Sequence, residues 1–319
     1  MTVDATLATF SDWCFAGAVI VYVLALVLHG VQFASSRDRA AQPELVAAGS
    51  GVSPSTTTPP SGGTWSATTA GRMAVSLTVL GALLHAASLL LRGLAVHRVP
   101  WGNMYEFGSA ICLAAVVSWL VLLRRHSAAG LGVQRLGVFV LLPIVVLLFT
   151  SGTLLYTKAA PLQPALQSYW IAIHVSAAVI ASGMLLVAGA ASAGYLMRSA
   201  RAGHPHPGRG RAERLPAADV LDRLAYRTTI AAFPVWTFAI IAGAIWAETA
   251  WGRYWGWDPK ETVALVAWVV YAGYLHARAT AGWRRGAAWI NVAGLAVMIF
   301  NLFFVNLVVS GFHSYAGVG

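Results

Sequence analysis

Residues 169–197 read YWIAIHVSAAVIASGMLLVAGAASAGYLM, without one Asp, Glu, Lys or Arg. A hydrocarbon layer about 30 Å thick is crossed by roughly 20 helical residues, so a run of this length belongs in lipid. Backbone polar groups in lipid must be satisfied internally, which a helix achieves within one segment. Seven similar runs accompany it: Trp13 to Phe33, Met73 to Leu91, Tyr105 to Leu123, Leu136 to Tyr156, Thr228 to Ala247, Thr262 to Ala277 and Ala287 to Val309. The chain has 319 residues, 58% hydrophobic and 10% charged, and its apolar residues fall in blocks rather than amphipathic stripes. The expected fold is an all-α polytopic transmembrane bundle of about eight spans.

Basic residues orient it, because cytoplasmic connections retain Lys and Arg. With the N-terminus outside, sixteen of the twenty-one basic residues fall inside, leaving Arg92, Arg98, Lys158, Arg253 and Lys260 outside. Both termini are therefore expected on the external face of the cell membrane. The formal charge of +10 is read as a topology signal, not a nucleic-acid footprint, since no aromatic-basic binding module accompanies it. Met1 to Asp12 contains no basic residue and no small-residue cleavage site follows the first run, so that run is expected to remain as a helix. Cys14 and Cys112 form no C-x-x-C pair, and there is no C-x-x-C-H motif, so the chain is not itself a c-type cytochrome.

Three regions follow: an N-terminal transmembrane helix over 1–33, a flexible cytoplasmic linker over 34–71, and the main transmembrane domain over 72–319. The linker is expected from its Ser, Thr, Pro, Gly and Ala content. A second loop, Arg198 to Leu215, carries His204 and His206 among arginines and reads as a solvated loop. Pro143 and Pro234 interrupt apolar runs, where each removes a backbone donor.

Chemistry concentrates in the external loop at 250–261. Trp251-Gly252-Arg253-Tyr254-Trp255-Gly256-Trp257 places four large aromatics within seven residues. Two readings stand at this point: an interfacial aromatic belt, or an apolar platform whose glycines let a planar ligand approach the backbone. Asp258, Pro259 and Glu261 are expected to start the next helix as N-cap, N1 and N3.

Histidine in an apolar span is costly and asks for a partner. His174 is expected roughly 8 Å into its span from outside, and His313 just past a span that exits outside. With the tryptophan loop, they share the external surface as a bis-histidine haem would require. Each taken singly is more often a packing residue than a ligand; the shared side and the aromatic loop reverse that balance. His276 is expected about 20 Å below the tryptophan loop, too deep to serve the same ligand easily. His29 lies at a similar depth, so His276 could pair with it or with a histidine of another protein; His85, nearer mid-membrane, could equally be a packing residue.

The W-G-x-x-W-x-W-D pattern at Trp251, Gly252, Trp255, Trp257 and Asp258 resembles the WWD signature of the haem-handling superfamily that includes CcsA/ResC, CcmC and CcmF. Asn103 to Glu106, Trp170 to Val175, Tyr274 to Arg278 and Gly311 to Tyr315 look like family landmarks in family order, covering most of the chain from about Met73. The resemblance implies a system II cytochrome c biogenesis component of the CcsA/ResC type. It implies His174 and His313 as external axial ligands, with Trp251, Gly252, Trp255, Trp257 and Asp258 holding non-covalent, b-type, bis-histidine haem as cargo. His276 would be a membrane-embedded ligand shared with a ResB/CcsB-type partner. The implied activity is haem transport and thioether formation on C-x-x-C-H motifs of apocytochrome c, as part of a holocytochrome c synthase, with room for a thiol-reducing thioredoxin-like protein. The competing classes are a haem exporter or chaperone without ligation activity, a b-haem electron carrier, and a permease that holds no haem.

Overall fold

The computed structural model describes residues 3–35, 67–127, 132–200, 211–280 and 282–313. Among these, the architecture is all-helical: α1 (Ala5–Ser35), α2 (Ala67–Val96), α3 (Met104–Ser127), α4 (Gly137–Thr153), α5 (Tyr169–Ala200), α6 (Ala218–Trp251), α7 (Pro259–Ala279) and α8 (Arg284–Leu307). Every helix except α7 is long and apolar enough to cross a membrane, α4 together with the 3-10 turn Val133–Leu136 that leads into it. The 21 residues of α7 also suffice in length, but Lys260, Glu261, His276 and Arg278 dilute its apolar character. The chain is a polytopic helical membrane bundle. Most of the linker expected at 34–71, and His204 and His206, lie outside the described residues; α2 already begins at Ala67.

Several helices run past the ends expected from charge-free stretches. The second run was expected to stop at Leu91, before Arg92, yet α2 continues to Val96 with Arg92 only 1% exposed. Glu106 accepts from Arg92 Nε at 2.9 Å, and Asp12 lies 3.6 Å from Nη1. Likewise α6 begins ten residues before Thr228, and its first turns place Asp222 against Arg278 at 2.6 Å. A helix carries a charge through an apolar environment where a partner neutralises it.

The helices pack as antiparallel neighbours, α1 on α2, α5 on α6 and α7 on α8, with α5 central between α3 and α8. Small residues on α5 permit this: a Cβ at Gly183 would meet the backbone of Ala115 at 2.6 Å, so α3 and α5 touch main chain to main chain there. Both α4 and α6 are continuous through Pro143 and Pro234.

The contacts divide the bundle into two ends. At one, Asp4 N bonds to Ala95 O at 2.9 Å, Tyr156 donates to Asp12 at 2.6 Å, and residues 101–104 meet the starts of α5 and α7 and the ends of α6 and α8. At the other, Gln32 meets Gln134 at 3.2 Å, and Asp219 and Asp222 meet Arg284 and Arg278. The described N- and C-terminal residues therefore lie at the same end, as an even number of crossings requires. That end holds Arg92, Arg98 and Lys260, whereas the opposite end gathers most of the arginines.

Candidate functional site

At the end bearing the termini, a mainly apolar cavity opens between α3, α5, α6 and α8. Trp101 to Met104, Tyr254 and Trp255 line its upper part; His174 and His313 face it; Leu186, Leu295, Trp236 and Met298 close it below. Leu186 is about 18 Å down α5 from His174, so the chamber penetrates well into the bundle.

Both imidazoles are held through the same ring atom. His174 Nδ1 donates to the carbonyl of Ala239 at 2.7 Å, and the ring stacks at 9° on Trp246 with centroids 6.1 Å apart. Space for that ring comes from Gly243, where a Cβ would meet His174 at 2.7 Å. His313 Nδ1 lies 2.8 Å from Asp258 Oδ2. Trp251 and Trp246 meet the His313 ring edge-on at 5.0 and 5.5 Å. In each histidine Nε2 has no hydrogen-bond partner among the described residues. A ring fixed by a carbonyl or carboxylate on one nitrogen, with the other left free, is how a protein presents an imidazole to a metal.

Asp258 ties the loop to the end of α8. Its Oδ2 accepts from Lys260 N at 3.1 Å and its Oδ1 from Phe312 N at 2.7 Å. The expected helix start is present as a capping box, in which Glu261 accepts from the amides of Gly256 at 2.9 Å and Asp258 at 3.2 Å. Burial pushes the Asp258 carboxyl up, but the hydrogen bond and charge of His313, with the Phe312 and Lys260 amides, hold it below the usual carboxylate value. Close approach also requires Gly311, where a Cβ would stand 2.5 Å from Asp258 Oδ1.

The tryptophan loop divides its residues. Trp251 contacts His313 and Phe312; Trp255 lines the cavity; Trp257, at φ +56°, is 70% exposed and meets Trp255 edge-on at 5.8 Å. Gly252, at φ +71°, ends α6 in the left-handed conformation that glycine adopts freely. Arg253 crosses the Phe312 ring at 4.4 Å and closes over Gly256, pinning the loop to the end of α8.

His276 is not part of this assembly. It lies about 25 Å along α7 from Pro259 and is exposed on the outer side of the bundle. His29 is buried against Gly137, with Nδ1 3.4 Å from Gln32 Oε1; α1 packs on α2 and α4, whereas α7 packs on α6 and α8. The two do not form a pair. His85 is a packing residue, bonded to Ser109 Oγ at 2.8 Å between Phe15 and Tyr22.

Sequence reasoning missed Trp246, whose ring contacts both histidines, and the cavity-lining Lys260 and Asn306. A signal for the first existed: Ala239, Gly243 and Trp246 recur at helical spacing on one face of α6, supplying the acceptor, the space and the stacking surface for His174.

These features define a membrane-embedded helical protein that presents two oriented imidazoles over a deep apolar chamber at one end. The family described as "Cytochrome C assembly protein" matches residues 101–313, a segment bounded by the cavity mouth and His313. Cytochrome c biogenesis protein CcsA of Synechococcus sp. (strain RCC307) is 37% identical over 274 residues, covering 76% of this chain and 85% of the relative. CcsA of Gloeobacter violaceus is 32% identical over 298 residues, covering 77% and 85%. CcsA of Chlamydomonas reinhardtii is 37% identical over 239 residues, covering 73% and 65%. The chain belongs to the cytochrome c assembly family, in its CcsA-type branch, and is a membrane component of cytochrome c maturation.

Proposed function

We propose that this chain holds non-covalent haem, as cargo, between His174 and His313, and presents it for covalent attachment to the C-x-x-C-H motif of apocytochrome c. The observation that carries the reading is the pair of imidazoles on one cavity, each anchored through Nδ1 and each with Nε2 free. The donor set fits: two imidazole nitrogen ligands, an apolar lining, and aromatic rings against both ligands. Asp258 orients His313, while Ala239 and Gly243 set the pose of His174.

The arginine asymmetry between the two ends supports a chamber on the external face of the cell membrane. Haem supplies the reactive vinyl groups. Each cysteine thiol adds across one vinyl double bond, sulfur to one carbon and hydrogen to the other, so no group leaves and no net oxidation occurs. The protein contributes position and exclusion of water. A ResB/CcsB-type partner would dock on the outer face of α7, where His276 is exposed and meets no other histidine among the described residues; a thiol-reducing thioredoxin-like protein would keep the substrate cysteines available.

The reading is tested in cells that express the chain, a ResB-type partner and a C-x-x-C-H reporter cytochrome. Covalent haem on the reporter, detected after denaturing electrophoresis, is expected with wild type and lost with His174→Ala or His313→Ala. Reporter that remains haem-free although the purified complex carries haem would favour a chaperone or exporter without ligation activity.

A further inference from the structure

Lys260 differs from the other cations near the chamber. Arg92 and Arg98 share the carboxylate of Glu106. Arg253 is spent on Phe312 and lies outside the cavity lining. Lys260 lines the cavity, with Nζ 5.9 Å from the Phe107 ring centroid, and donates to a neutral acceptor, Asn306 Oδ1, at 2.7 Å. No carboxylate lies within ion-pair distance of Nζ among the described residues. Asp258 uses both oxygens on His313, Phe312 N and the Lys260 amide, and Glu261 turns back to the amides of Gly256 and Asp258. Asn306 is itself fixed, since its Nδ2 donates to Leu302 O at 2.6 Å and Asn301 O at 3.3 Å, which aims Oδ1 at the ammonium. An ammonium facing an apolar chamber is costly to keep and attracts an anion strongly.

The geometry points to Lys260, oriented by Asn306, as the group that pairs with a carboxylate of the tetrapyrrole ligated by His174 and His313. This assignment rests on the haem reading above and adds what that reading leaves open. Two axial imidazoles fix the centre of a porphyrin but not its rotation about the iron axis. A single cation on one wall fixes that rotation, drawing the carboxylate edge toward Lys260 and turning the opposite, vinyl-bearing edge away from it. Lys260 is thus a binding residue that determines which edge of the macrocycle is offered to substrate thiols.

The test is an absorption titration of the full-length purified chain in detergent with iron protoporphyrin IX and, separately, with its dimethyl ester. Wild type is expected to bind the diacid at least about tenfold more tightly than the ester, the scale of a charge-assisted hydrogen bond. Lys260→Met should bring that ratio to within about twofold while keeping a bis-histidine spectrum; Lys260→Arg should preserve most of it, and Asn306→Ala should lower it partially. Because each ratio is taken within one variant, loss of folded protein does not imitate the effect. A wild type with equal affinity for both porphyrins, or Lys260→Met with the wild-type ratio, would overturn the assignment while leaving the haem reading intact. A wild type that binds neither porphyrin would overturn both.

Discussion

Two polar clusters lie at the same end of the bundle, and they differ in how completely their atoms are used. In the first, Glu106 accepts from Arg92 Nε, Arg98 Nη1 and Nη2 and the Gly102 amide, while Arg92 reaches the Thr157 carbonyl and Tyr156 bonds to Asp12. The second holds His174, His313 and Lys260 around an open chamber, with an imidazole nitrogen free on each histidine. The first cluster ties α1 through α4 together; the second leaves ligating capacity unspent. Polar groups in a membrane interior are costly either way; in the brace opposite charges neutralise one another, even where Arg92 Nη1 and Asp12 Oδ1 stand 3.6 Å apart without a hydrogen bond, whereas the chamber's nitrogens face a cavity.

This contrast is most exposed at Glu106. Glu106→Ala leaves Arg92 buried without its nearest partner, and the loss should be about 3–5 kcal/mol. Thermal unfolding in detergent should show a greatly lowered midpoint or no recoverable protein. His174→Ala, by comparison, should leave the melting curve near that of ligand-free wild type while abolishing the haem spectrum. A His174→Ala variant as unstable as Glu106→Ala would erase the distinction between the clusters.

The next effect is steric. Gly243→Ala drives a methyl group against the His174 ring, so haem affinity should fall by about one to two orders of magnitude, the scale seen when the support of a metal ligand is disturbed. Unchanged affinity would mean that His174 has room to choose another pose.

Asp258→Asn is milder, because Asn still caps α7 but loses the charge facing His313. Affinity should fall by about tenfold. The pH dependence has a definite sign. The Asp258 carboxyl is held below its ordinary value, so its contribution is complete above that ordinary value and is lost as pH falls through the depressed one. Haem retention in wild type should therefore lose the Asp258 contribution in acid, so that its advantage over Asp258→Asn narrows as pH falls.

Trp257→Ala should matter least. The ring is 70% exposed and touches Trp255 rather than either histidine, so affinity should change by less than about threefold, compared with a larger loss for Trp251→Ala.

Much of this was legible in the sequence because membrane insertion writes its rules locally. Charge-free length marked the helices, and arginine asymmetry separated the two ends. Helix ends are legible only where no charge has a distant partner: Arg92 looks like a boundary because nothing local shows that Glu106, fourteen residues on, neutralises it. The capping residues are legible by type and position, and the loop and the two histidines stand out as candidates in the same way. Their orienting contacts are not legible, since Ala239 lies 65 residues from His174 and Asp258 lies 55 from His313. Such pairs exist only once helices have packed. Lys260 was read as a topology residue for the same reason; Asn306, which aims it into the chamber, belongs to another helix.

The central claim is that His174 and His313 ligate one iron. Its most direct test is the reduced-minus-oxidised absorption spectrum, with pyridine haemochrome quantification, of purified wild type, His174→Ala and His313→Ala. Wild type should carry a bis-histidine spectrum that is lost or altered in each variant. Haem-free wild type, both with and without a ResB-type partner, or an unaltered spectrum in both variants, would contradict the account.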